Sequence, residues 1–306
     1  YFTAPRRDTV AWESYRERAR ESFRDRDLSP ESVFADSLRD AITQGNPRAR
    51  LLTAAMVDSL DLDRALAVYR DRFSDAGDFT FYLVGSFKPD SIRPLVERYL
   101  GGLPSAGRRE TPRDRGVRTP PGVVRRTVRR GMEPQAHTQV VFSGPLAYER
   151  RNVALLRTLS DALEIRLRDR LREELGGTYG VGVGASTQRE PNPEYRFIVD
   201  FSAAPERLTE LSQALFAELE AVKRDGVTEE ELAKVREQQR RERETQIREN
   251  DFWMSQLIQY DASGWDLGLI TSQPLSQGFT PQDVRDAART FLNTSRYVQV
   301  SLLPEK

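Results

Sequence analysis

The sequence predicts an α+β protein: two related domains, each a mostly antiparallel sheet packed with helices, the first truncated at its N-terminus. Three observations predict it. Strand-type alternation and helix-type capping signals recur together along the 306 residues, as a sheet covered by helices requires. One pattern occurs twice: residues 62–84 and 280–302 each read helix, phenylalanine, short loop, strand, with Phe73 and Phe291 at matching places. The second copy is preceded by a series of strands and helices for which the first copy has no counterpart before residue 9.

In chain order, residues 9–43 form a long charged helical region, with Ser29-Pro30 as a cap followed by a proline in the first turn. Phe34 and Leu38, four apart, share a helix face. A helix begins at Leu62, and Phe79–Val84 reads as a strand ending at Gly85. Pro104, Gly107, Pro112, Gly116, Pro120, Pro121 and Gly122 sit among charges without apolar periodicity and mark a linker, drawn at 107–122. The domains are accordingly placed at 1–106 and 123–306. The second holds strands near 123–131 and at 138–142, a helix over 150–175, strands near 179–187 and 195–202, and a helix over 206–224. Thr228 and Glu231 form a capping box that opens a second long charged region, 228–260, where Trp253 and Leu257 repeat the Phe34–Leu38 spacing. Thr280-Pro281 starts the last helix, and Tyr297–Leu302 alternates as the last strand.

Composition narrows the chemistry. Lysine plus arginine is 47 and aspartate plus glutamate is 47, so no net field steers the chain towards nucleic acid or anionic lipid. Only four of the basic residues are lysines, which leaves 43 planar guanidinium forks suited to bidentate carboxylate pairing. No apolar run is long enough to span a membrane. The chain opens without an initiator methionine and reads as cut from something longer. Cysteine is absent, which removes disulfides, thiolate nucleophiles and cysteine metal sites. His137 is the single histidine, and neither H-E-x-x-H nor H-x-x-E-H occurs, so the expected metal-ligand set in this chain is empty. A histidine-dependent catalytic triad lacks its context for the same reason.

Several charged or glycine-rich stretches have ordinary structural explanations. Gly180-Val-Gly182-Val-Gly184 lacks the Gly-Lys-Ser/Thr ending of a phosphate loop and does not open a helix. It reads as a strand with one bare face, which allows a ligand or another backbone to come close. Arg125–Arg130 reads as a guarded edge strand. On the helix before residue 175, spacings of three and four pair Asp169 with Arg172 and Arg170 with Glu174.

The stretch L-R-E-E-L-G-G-T-Y-G-V, residues 171–181, joins that helix to the glycine strand. Leu171 and Leu175 share a face, and Gly176-Gly177 permits the left-handed turn that ends the helix. Arg172 falls in the last helical turn, where a cation is favoured, and Tyr179 heads the strand. Guanidinium and phenol are both donors to a carbonyl or carboxylate. Read physically, the stretch is first a structural corner, and a pair of peptide-facing donors is the alternative.

The same stretch resembles a signature in the C-terminal halves of insulinase/pitrilysin-type (inverted zincin) zinc metalloproteases, closest to the bacterial long-chain type. The resemblance covers nearly the whole chain, including Phe79–Pro104 with Val84-Gly85 and Gly101-Gly-Leu-Pro104. It implies four related α+β domains forming two bowl-like halves around a peptide. An N-terminal half would carry zinc. The C-terminal half would supply an arginine and a tyrosine that reach the peptide, matching Arg172 and Tyr179, with Gly176 and Gly177 at the turn between them. Catalytic residues and metal ligands would be absent here, and the chain alone would be inactive. The implied partners are the zinc-bearing half and a peptide substrate, with no nucleic acid; the compartment, by the same analogy, is the periplasm. Two alternatives accompany this expectation: a non-proteolytic scaffold relative, as in core subunits of respiratory complexes, and a stand-alone peptide-binding module.

Overall fold

The computed structural model describes residues 1–305 and, at Tyr179, the backbone alone. Along the chain come α1 (Thr9–Arg24), α2 (Pro30–Thr43), α3 (Ala54–Asp58), α4 (Leu62–Phe73), α5 (Pro89–Tyr99), β1 (Val123–Arg129), β2 (Ala136–Pro145) and α6 (Arg150–Leu167). A π-helical stretch over Arg168–Glu174 extends α6. Then follow β3 (Thr178–Gln188), β4 (Glu194–Ala203), α7 (Leu208–Asp225), α8 (Glu229–Gln246), α9 (Asn250–Ser263), α10 (Pro281–Phe291) and β5 (Tyr297–Leu303).

The helix starts read from the sequence carry their caps. Thr228 accepts from the Glu231 amide while the Glu231 carboxylate accepts from the Thr228 amide, at 3.2 and 2.6 Å. Thr280 and Asp283 repeat this arrangement ahead of Pro281, and Ser29 caps α2. Each cap contributes about 1 kcal/mol. The two long helical regions each break once, into α1 and α2 and into α8 and α9.

The five strands form one mixed sheet in the order β1-β5-β2-β4-β3. Only β1 with β5 is parallel; β2–β5, β2–β4 and β3–β4 are antiparallel. Strict alternation in β4 sends Tyr195, Phe197, Val199, Phe201 and Ala203 to one face, where they are buried. There they meet Leu159, Leu163 and Leu167 of α6, Leu211, Leu215 and Leu219 of α7, and Val284 and Ala288 of α10 in the main core. Each leucine, valine or phenylalanine among them contributes about 1.5–3 kcal/mol through its burial. A smaller core lies on the opposite face, where Phe34, Leu38, Ala41 and Ile42 of α2 pack on Val141, Val298 and Val300. The edge strand β1 is the arginine-rich one, with Arg125 bonded to the Tyr297 hydroxyl and Arg126 to Asp40 at 2.6 Å.

Contacts divide the chain into two units that interleave in sequence: residues 1–25, 52–112 and 244–272, and residues 26–51, 113–243 and 273–306. The helices that carry the repeated aromatic–leucine pairs are exchanged. Helix α2 comes from the first copy of the pattern and belongs to the second unit, whereas α9 comes from the second copy and belongs to the first. Packing units therefore follow different lines from the continuous segments 1–106, 107–122 and 123–306 read from the repeat. The linker itself is irregular and is tied down by the side chains of Asn46 and Gln44, which donate to the carbonyls of Gly116 and Arg118 at 3.1 Å.

One expected element does not form. Phe79–Val84 has no strand pairing among the described residues. Phe79, Phe81 and Leu83, the alternating apolar side of the expected strand, are 36%, 40% and 44% exposed. The pattern of a strand is present, but its backbone donors and acceptors have no neighbouring strand to meet. Neither apolar core described above includes a residue of the first unit.

Candidate functional site

The corner between α6 and β3 is built from its backbone outward. Leu171 is fully buried in the main core and fixes the end of the helix. The chain widens here: the Leu175 amide reaches the Arg170 carbonyl, five residues back, at 3.3 Å. Gly176, at φ +56°, takes the left-handed turn, and its amide closes on the Arg172 carbonyl at 3.0 Å. The Gly177 amide closes on the Leu171 carbonyl at 3.1 Å. Arg207 then donates to the Leu175 carbonyl at 3.0 Å, placing a cation where the helix end is negative.

Gly177 is required for space. A Cβ there would stand 2.8 Å from Leu211 Cδ2 and 3.0 Å from the Arg207 guanidinium carbon. Because Leu211 is fully buried, Gly177→Ala is expected to cost about 1–3 kcal/mol in denaturant unfolding. A variant as stable as the parent would show that the corner yields freely.

Arg172 is exposed, its side chain 57% accessible, with its nearest carboxylate 3.7 Å away on Glu173. Arg170 and Glu174 pair as their spacing predicts. The Asp169–Arg172 pair does not form among the described residues. Helical widening explains the difference, since a π-turn carries residues three apart off a common face. The Tyr179 side chain lies outside the described residues. Its backbone position is informative, because Thr178 pairs with Ala203 and Gly180 with Ser202, so Tyr179 is the extra residue of a β-bulge. Thr178, which sequence reading passed over, closes that bulge. Its hydroxyl accepts from the Gly180 amide at 3.1 Å and lies 2.7 Å from the Ser202 carbonyl. Bulges redirect the strand locally.

Strand β3 is the other edge of the sheet. Val181 and Val183 pack on the main core, so Gly180, Gly182 and Gly184 fall on the opposite face. On that face their neighbours across β4 are Ser202, Asp200 and Ile198, with Arg196 beyond. Nothing lies within 4 Å of the space a Cβ would fill at Gly180 or Gly184. At Gly182 the one obstruction is the Asp200 carboxylate, 2.8 Å from that point. Burial pushes the Asp200 carboxyl above its ordinary pKa, with nearby His137 pulling the other way. The same burial pushes His137 down, so the imidazole is neutral at pH 7; its ring meets the edge of Phe34 at 5.0 Å.

Among the described residues no three His, Asp or Glu side chains come together in a way that could hold a metal ion. With one histidine and no cysteine, the donor set here does not fit zinc. No helix is long and apolar enough to cross a membrane.

Comparison with known proteins agrees with the family resemblance. A family model described as the peptidase M16 inactive domain matches residues 59–239. The zinc protease PQQL-like of Arabidopsis thaliana is 25% identical over 318 residues, covering 94% of this chain and 33% of that protein. The probable zinc protease PqqL of Escherichia coli is 25% identical over 305 residues, covering 92% of this chain and 30% of that protein. The chain thus spans about a third of the length of these curated relatives. Among solved structures, the periplasmic protease PqqL from Escherichia coli aligns with a TM-score of 0.79 at 24% identity, over 97% of this chain and 33% of that one. A peptidase M16 inactive domain from Pseudomonas fluorescens aligns with a TM-score of 0.78 at 17% identity, over 97% and 71%. These two likenesses show the α+β fold.

Proposed function

Because the chain belongs to the peptidase M16 inactive-domain family, we propose that it is the non-catalytic, peptide-holding portion of a zinc metalloendopeptidase. Arg172 and Tyr179 are its two donors to the peptide, and Gly176-Gly177 is the turn that sets them. The observation that carries this reading is the corner itself. A glycine-capped helix end leaves Arg172 exposed, without a close structural partner, and leads directly into a bulge at Tyr179 on an open sheet edge. A side chain held for the fold would be packed or closely paired; one held for a ligand is left available.

Zinc and the residues that activate water belong, in this reading, to a separate N-terminal half, the chain's main partner. Two features support it. The curated relatives are about three times as long and carry the name zinc protease. The apolar side of residues 79–84 is exposed, as a strand is when the rest of its sheet is supplied by other polypeptide. Residues 1–106 and 123–306 are then parts of two related peptidase-like domains. The periplasm is the proposed compartment, by likeness to a protein described as periplasmic.

The test is reconstitution. The chain alone is expected to leave a quenched-fluorescence peptide uncut, and to support cleavage when the zinc-bearing half is restored. Metal-dependent cleavage by the chain alone would overturn the non-catalytic reading. An assembled complex with no cleavage of any peptide would favour a scaffold instead.

A further inference from the structure

We propose that the open edge of β3 accepts an extended peptide as a sixth strand, and that a lysine or arginine of that peptide reaches across Gly182 to the Asp200 carboxylate. The proposal rests on the peptide-holding reading above and adds a preference in side-chain chemistry to it.

The geometry follows from sheet spacing. A strand added at the β3 edge lies about 4.8 Å from β3 and about 9.6 Å from β4. Asp200 belongs to β4, but its carboxylate leans outward over β3 and stands 2.8 Å from the Cβ position of Gly182. Any side chain at residue 182 would stand between an added strand and that carboxylate. Glycines at 180 and 184 leave the floor on either side bare as well. A lysine or arginine on the added strand, with about 6 Å of reach, meets the carboxylate over this floor.

Charge selects the occupant. Among the described residues Asp200 makes no hydrogen bond or ion pair, and the titratable group nearest to acting on it is the His137 imidazole. That ring is itself half-buried and held neutral by burial. Arg196 shares the face, but four residues along an extended strand separate the two Cα atoms by about 13 Å, and no ion pair joins the side chains among the described residues. A half-buried carboxylate without a cationic partner is unfavourable in the free chain. It gains most from a ligand that brings the cation and excludes water, which neither an acidic nor an apolar side chain does.

Calorimetric titration with two blocked decapeptides tests this. They are identical except that one carries lysine and the other norleucine, which keeps the aliphatic length and removes the charge. On the unaltered 306-residue chain the lysine peptide is expected to bind about tenfold tighter. In Asp200→Asn the two should bind alike, with the norleucine affinity unchanged. The asparagine variant removes an unpaired charge, so its melting temperature should equal or exceed the parent's. In Gly182→Val, where the new side chain screens the carboxylate, the lysine preference should also disappear. Equal binding of both peptides to the unaltered chain would overturn the subsite and leave the peptide-holding reading standing. So would a lysine preference that survives in Asp200→Asn. If neither peptide binds at any attainable concentration, the peptide-holding reading fails and the subsite with it.

Discussion

Phe201→Ala is expected to destabilise the sheet-bearing unit by about 3–5 kcal/mol in denaturant unfolding. Phe201 is 1% exposed and sits on the core face of β4, opposite Thr138 on β2 and Val181 on β3. The strands on both sides hold its neighbours in place, so the cavity left by the ring has little freedom to collapse. Domains of this size are stable by about 5–15 kcal/mol, so the loss is a large fraction of the whole. The consequence reaches the candidate site. Val181 lies two residues beyond Tyr179, and the bulge is closed against Ser202, next to Phe201 in sequence. Peptide binding should weaken together with stability. A change below about 1 kcal/mol would mean that the main core is not organised as described.

Arg172→Ala is expected to do the reverse: reduce peptide handling and leave stability alone. The side chain is 57% exposed, and its one nearby carboxylate is 3.7 Å away on the adjacent residue, so no packing depends on it. The melting temperature should stay within about 1 °C of the parent's. If the guanidinium fixes the peptide backbone near the bond to be cut, kcat/KM of the assembled enzyme should fall about 100-fold, the scale of losing one well-placed charged donor. Arg172→Lys should recover only part of that loss, because a point charge on a flexible stem does not reproduce the planar fork. A melting temperature that drops in parallel with activity would instead make Arg172 a structural residue of the corner.

Much of this was legible in the sequence, for identifiable reasons. The capping box at Thr228 was readable because a hydroxyl and a carboxylate three residues apart serve the backbone locally, and the helix start at Thr280 because a proline follows the cap. Strand β4 was readable because one face is buried and the other is not. The glycine turn was readable because few residues other than glycine take a φ near +56°. What could not be read depends on partners distant in sequence. Residues 79–84 have the alternation of a strand, but alternation does not say whether a neighbouring strand is present. The widening of α6 accompanies the burial of Leu171 in the core, and it undoes the spacing rule that pairs Asp169 with Arg172. The bulge at Tyr179 is a register difference between two strands, visible only when both are placed. Asp200 looks like any polar residue on an alternating strand until Gly182 is seen opposite it. The exchange of α2 and α9 between units is likewise invisible in a linear repeat.

The central claim is that this chain grips peptide at the corner between α6 and β3 and does not cut it. The most direct measurement is titration of a blocked peptide into the chain, with mass-spectrometric inspection of the peptide afterwards. The account expects saturable binding, intact peptide, and affinity reduced by Arg172→Ala and by Tyr179→Phe at unchanged melting temperature. Affinity unaltered in both variants, or peptide recovered in pieces, would contradict it.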